Sequence, residues 1–169
     1  MEKLTEMLSE EHKNILRMIE ILLDKCSAVE SGEELDKDFF NKIIDFIQNY
    51  ADRFHHAKEE DILFRELCKD DVQMHCNPIE QMLYEHNLGR EFVKGMVAGL
   101  RNNDKKTVIK NAKDYSHLLE EHIMKEDNIL YPMAEEVLNN NVKRSIMKKF
   151  KEIELKNLSD INHNLSILD

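Results

Sequence analysis

Two segments of this chain pair a histidine with a glutamate four residues later, one turn further along a helix. They are HHAKEEDILF at residues 55–64 and HIMKEDNILY at residues 122–131. Two others, SEEHKNIL at 9–16 and LYEHNLGR at 83–90, each carry a Glu-His pair. Neutral imidazole and carboxylate together suit iron, manganese or zinc. The chain is internally doubled in these terms: each half has a helix with Glu-His, then a helix with His-x-x-x-Glu before an Ile-Leu-aromatic anchor.

The first segment offers two overlapping pairs, His55 with Glu59 and His56 with Glu60. Aligning Ile62-Leu63-Phe64 on Ile129-Leu130-Tyr131 matches His55 to His122 and Glu59 to Glu126, and leaves His56 opposite Ile123, which has no ligand chemistry. Helical phase agrees. With Phe40 as zero and 100° per residue, Phe40, Ile44, Ile47, Ala51 and Phe54 form one stripe. His55 and Glu59 then fall at about 60° and 100°, and His56 and Glu60 at about 160° and 200°. His122 and Glu126 border the stripe of their own helix, His86 shares a face with Ile79, Leu83 and Val97, and His12 lies one turn from Leu8 and Ile15.

Six groups are therefore expected to point inward from four helices: His12, His55, Glu59, His86, His122 and Glu126. Burying them without a partner would be very costly. Two divalent cations would supply that partner, with both glutamates bridging a pair separated by about 3.5–4 Å and two histidines on each ion. Asp127 competes with Glu126. Arg90, one turn after His86, is expected to form a salt bridge to another helix or to order a ligand carboxylate. Tyr84, Tyr115 and Tyr131 are expected to pack in the core, with a gating or proton-donating role the alternative. Glu11 and Glu85 are expected to be solvated. His56, His75, His117 and His163 are expected at the surface.

Five helices are needed to position these groups, and apolar periodicity supplies them at about 4–29, 38–68, 78–100, 105–139 and 142–157. Asn77 and Asp104 are candidate caps, Pro78 suits a first turn, and Pro132 is a candidate bend. Four long helices with short connections predict an all-α, up-down-up-down four-helix bundle over about 4–139, with a short additional C-terminal helix and a polar tail, all within one domain of residues 1–169.

The bulk composition removes other classes. Only 4 glycines and 2 prolines in 169 residues argue against a turn-rich β fold. A net charge of −10 argues against nucleic acid or an anionic membrane as partner. No apolar stretch approaches the roughly 18 residues of a membrane span, and the acidic N-terminus is not a signal peptide. Three cysteines with no CxxC pair read as free thiols in a reducing, cytoplasmic setting.

In order along the chain, EEHKNIL, DRFHHAKEEDILF, YEHNLGREFV and HIMKEDNILYPMA resemble the hemerythrin-like, or HHE cation-binding, proteins. That resemblance implies a four-helix bundle around a non-haem, usually di-iron, centre, with manganese or zinc as alternatives. It also implies a small-molecule partner such as dioxygen, nitric oxide or peroxide, which is bound or reduced. The alternative within the family is an iron-sensing, iron-storage or iron-centre-repair module without turnover. A homodimer is left open.

Oxygen-carrying members have His-x-x-x-His on the third helix, where this chain has His86 and then Arg90, and His-x-x-x-x-Asp on the fourth, which points to Asp127. The cysteine-bearing N-terminal domain of cluster-repair relatives is missing, which weighs against that role. With four histidines and two bridging carboxylates, both metals would keep an open position, which favours redox or sensing chemistry over simple oxygen storage.

Overall fold

A computed structural model of the chain describes residues 3–74 and 76–169, and every element among them is helical. His75 lies outside the described residues. α1 is Glu6–Glu30. α2 spans residues 37–67 and changes winding along its length, from an α-helical Lys37–Phe46 to π-helical Ile47–His56 and Glu59–Leu63, then α-helical Phe64–Leu67. α3 is Ile79–Arg101. α4 spans residues 105–137, with a π-helical stretch at Glu126–Leu130 between Lys105–Lys125 and Tyr131–Val137. α5 is Asn140–Ser166.

The caps follow simple chemistry. Asp36, Asp104 and Asn139 each accept a hydrogen bond from a first-turn backbone N–H. Asn77 acts from one position further out, accepting from Ile79 N at 3.1 Å, while Pro78 takes the cap position itself. Pro132 stands in the first turn of the segment that follows the π stretch in α4. Gly32 turns the chain out of α1 at φ +116°, a region that L side chains rarely adopt. At Gly99 a Cβ would come within 2.8 Å of Val108 Cγ2, so the missing side chain lets α3 and α4 close on each other.

α1 packs against α2 and α4, α3 packs against α2 and α4, and α5 lies against α2. These contacts are those of a helical bundle. α5 runs longer than the expected 142–157, because residues that read as a polar tail are held by burial. Ile161, Leu165 and Ile167 pack on the main core, and Arg17 donates to the Leu168 carbonyl at 2.9 Å.

The apolar interior is divided into two clusters. One includes Ile15, Phe54, Val93, Leu119 and Ile123, and the other Leu8, Leu63, Phe64, Met82 and Leu130. Along α1, α2, α3 and α4, the segment between the two clusters carries ionisable side chains. A polar belt is thereby sealed on both sides by packed hydrocarbon, which lowers its local dielectric and raises the cost of leaving any charge in it unpaired.

Candidate metal centre

Within this belt His12 (α1), His55 and Glu59 (α2), His86 (α3), and His122 and Glu126 (α4) are all buried and converge. Their ligand atoms form two overlapping groups, each with all members within 4.8 Å of one another. His12, His55, Glu59 and Glu126 make one, and His56, Glu59, His86 and His122 make the other. The two carboxylates cross between the groups. Glu59 Oε2 lies 3.7 Å from His55 Nε2 and 3.4 Å from His86 Nε2. Glu126 places Oε1 at 3.1 Å from His122 Nε2 and Oε2 at 3.2 Å from His12 Nε2.

Each of these histidines turns its other nitrogen to a carboxylate. His12 Nδ1 donates to Asp127 Oδ1 at 3.0 Å, and Ser9 Oγ donates to the same oxygen at 2.7 Å. His55 Nδ1 donates to Glu11 at 2.8 Å, His86 Nδ1 to Glu60 at 2.7 Å, and His122 Nδ1 to Glu85 at 2.8 Å. With Nδ1 held by a carboxylate, each ring is fixed so that Nε2 faces the centre, as in a histidine poised to bind a metal.

The carboxylates are anchored in turn. Lys58 pairs with Glu11, Lys125 with Glu85, and Arg90 with Glu60 and Asp52. Lys58 is fully buried, with Phe54 and Phe150 rings 4.1 and 5.3 Å from its ammonium.

The doubling read in the sequence extends to these supporting groups. Glu11 holds His55 as Glu85 holds His122, Asp127 holds His12 as Glu60 holds His86, and Lys58 matches Lys125. The expectation that Glu11 and Glu85 are solvated is therefore corrected; both are buried, because each reaches across to a histidine on a neighbouring helix. The repeated His-x-x-Lys-Glu and Glu-His patterns contained that signal. Asp127 stands outside the centre, behind His12, while Glu126 is fully buried within it. Arg90 forms the expected salt bridge to another helix, pairing with Asp52 and Glu60 of α2; it does not touch Glu59 or Glu126, and the acids it holds face imidazoles instead.

His56 is the clearest correction. It was expected at the surface, yet it is 6% exposed and its ring stacks on His86 with centroids 3.8 Å apart. The phase count failed because it assumed 100° per residue. The π-helical stretch Ile47–His56 holds more residues per turn, so each advances less and the solvent-side position rotates back toward the core. His117 and His163 are exposed as expected. Tyr84 is exposed rather than packed, at 60%. Tyr115 is buried with no partner for its hydroxyl. Tyr131 is buried and donates its hydroxyl to Glu59 Oε1 at 2.7 Å, with His12 Nε2 3.3 Å away.

Electrostatics mark the belt as a place for a cation. Burial by itself would strip the proton from His12, but Asp127 and Glu126 outweigh it and raise its pKa to about 9. Against the same burial, Glu126 and Glu85 raise His122 to about 10. Glu59 and Glu60 raise His86. Glu126 stays well below the usual carboxylate range despite its burial, held there by His122 and His12. Burial and the neighbouring His86 push His56 well below the usual imidazole range, so it is neutral. Burial and the charges of Glu126 and Glu59 keep Tyr131 protonated.

His55 Nε2, Glu59 Oε2 and both Glu126 oxygens are buried without a hydrogen-bond partner. His86 Nε2 and His122 Nε2 face each other at 3.0 Å although both rings already donate from Nδ1. Bare oxygens and ring nitrogens turned on one another in a dry interior cost about 1–3 kcal/mol per group when left unsatisfied. A bound cation would satisfy them together. The residues fit a metal centre on these grounds.

No curated protein and no solved structure gives a significant match to the chain. The profile of the hemerythrin HHE cation-binding domain matches residues 3–134, which take in all four helices that contribute to the belt, and the chain belongs to that family.

Proposed function

We propose that this protein is a non-haem di-iron protein that binds or reduces a small diatomic or peroxide ligand, such as dioxygen, nitric oxide or hydrogen peroxide. Its four long helices would run up-down-up-down, as their short connections suggest. His12, His55, His86 and His122 would hold two ions, and Glu59 and Glu126 would bridge them. The observation that carries this is the pair of crossing carboxylates, each within 3.1–3.7 Å of a histidine nitrogen from both groups. Mixed imidazole and carboxylate donors also suit manganese or zinc, so iron is part of the proposal.

Two bound irons would supply redox electrons and open coordination positions. The remaining work falls to side chains of this chain. Glu11, Glu60, Glu85 and Asp127 hold the imidazoles in one tautomer and one orientation. Tyr131 keeps its proton and presents the hydroxyl at the centre, where it can donate to a small anionic ligand. The two apolar clusters exclude bulk water. A cavity of about 320 Å³, lined by His56, His86, Gly89, Arg90, Val93 and Tyr115, lies against one side of the belt. No described helix is long and apolar enough to cross a membrane, and Cys26, Cys68 and Cys76 are all free, which fits a reducing cytoplasmic setting.

The test is metal analysis and an absorption spectrum of protein purified without oxygen and then exposed to air. About two irons per chain and a new near-ultraviolet band after exposure are expected. An iron-loaded protein that ignores oxygen, nitric oxide and peroxide alike would instead leave an iron-sensing, storage or repair module without turnover. That version predicts a large gain in protease resistance on loading, because ligands assembled only in the fold couple metal binding to stability.

A further inference from the structure

We infer that His56 is a fifth histidine of the metal centre, and that it makes the two metal positions unequal. The inference rests on the dinuclear reading above and adds a ligand to it. One ring nitrogen of His56 lies within 4.8 Å of the donor atoms of Glu59, His86 and His122. Its ring is sealed in the belt, stacked on His86 at 15° between planes and 6.0 Å from the His122 ring.

Five histidines in this belt turn Nδ1 to a carboxylate, and His56 is one of them. Asp52 Oδ1 accepts from it at 3.4 Å, the longest of the set. Asp52 is itself fixed by Arg90, which reaches it with Nε at 2.9 Å and a terminal nitrogen at 2.7 Å. The same guanidinium holds Glu60 behind His86. One arginine thus orients two adjacent imidazoles through two acids. A solvent-side histidine needs none of this support.

The internal doubling shows that the arrangement is specific to one half. At the matching positions of the other half, Asp52 becomes Leu119, His56 becomes Ile123 and Arg90 becomes Leu16. Where the doubling is kept, both halves carry the same supporting chemistry. Where it is broken, three polar residues that touch one another replace three hydrocarbons. A loss of symmetry confined to one acid–histidine–arginine relay points to a ligand that only one metal receives.

The consequence is directional. His56, His86 and His122 would hold one ion, with Glu59 and Glu126 shared between the two positions. His12 and His55 alone would supply imidazoles to the other ion, on the side where the Tyr131 hydroxyl meets His12 and Glu59. The expectation of two equally open metals gives way to one more saturated ion and one ligand-binding ion.

Cobalt(II) titrated into metal-free protein, followed by calorimetry, tests this. His56→Phe keeps a ring to stack on His86 and removes the nitrogen; His56→Gln is the second variant if the first fails to fold by circular dichroism. Wild-type protein should take two ions. The variant should lose at least about tenfold in affinity for one ion, with the other changed less than about threefold. Asp52→Asn should weaken the same ion by a smaller factor. Wild type taking two ions, with a folded His56 variant matching it at both, overturns this inference and leaves the dinuclear reading standing. Wild type taking fewer than two ions overturns both.

Discussion

Raising the pH should tighten metal binding steeply in this protein. With pKa values of about 9 and about 10, His12 and His122 are almost fully protonated at pH 7 in the metal-free fold. A metal can use their Nε2 atoms only after those protons leave. Filling both positions at pH 7 should therefore expel about two protons, and His86, also raised, can only add to that number. Each expelled proton makes the binding constant grow about tenfold per pH unit, so two give about a hundredfold, or about 2.7 kcal/mol per unit.

The slope should hold from neutral pH upward and flatten as the pH passes through 9 and 10. Zinc(II), which has no redox chemistry, is a suitable probe. Calorimetric titration in two buffers of different protonation enthalpy counts the protons directly. Release of fewer than about one proton at pH 7, or a binding constant that does not change between pH 7 and 8, would refute the picture of imidazoliums clamped between acids.

The same shifts set the pH dependence of the metal-free fold. Both pKa values are raised above the unfolded value, so their stabilisation is complete below about pH 6.5 and is lost as the pH rises through 9 and 10. Thermal unfolding of metal-free protein should show Tm falling across that window. Glu85→Gln and Glu11→Gln should each lower metal affinity by about 10- to 100-fold, read by equilibrium dialysis; unchanged affinity would mean these acids do not orient His122 and His55. Tyr131→Phe should leave metal content intact and slow the reaction of loaded protein with peroxide or nitric oxide; identical rates would remove the hydroxyl from the chemistry. Phe150→Ala should cost about 3–5 kcal/mol in denaturant unfolding, since the ring is fully buried in the second apolar cluster and covers Lys58; a loss under about 1 kcal/mol would show that α5 does not close the core.

Much of the helical layout and the convergence of six inward groups were legible along the chain. Apolar residues at i, i+3 and i+4 define a buried face locally, and His12, His55, Glu59, His86, His122 and Glu126 sit on or beside those faces. The doubling carries information as well, since Glu126 matches Glu59 and Asp127 does not, and the fold places Asp127 behind His12. The same doubling pairs Glu11 with Glu85 and Lys58 with Lys125, so the supporting acids are also written in the repeat.

The sequence by itself determined that this chain forms long amphipathic helices carrying paired imidazoles and carboxylates on their inner faces, because that information is written in a spacing each helix reads alone. Tertiary structure decided the rest. Glu11 and Glu85 are buried because histidines on neighbouring helices meet them, and residues 158–166 are helical because the core beneath holds them. His56 turns inward because α2 departs from α-helical winding over ten residues and because Asp52 and Arg90, 38 residues apart in sequence, meet behind it. Winding that departs from 3.6 residues per turn and partners that lie on other helices leave no periodic trace in one dimension.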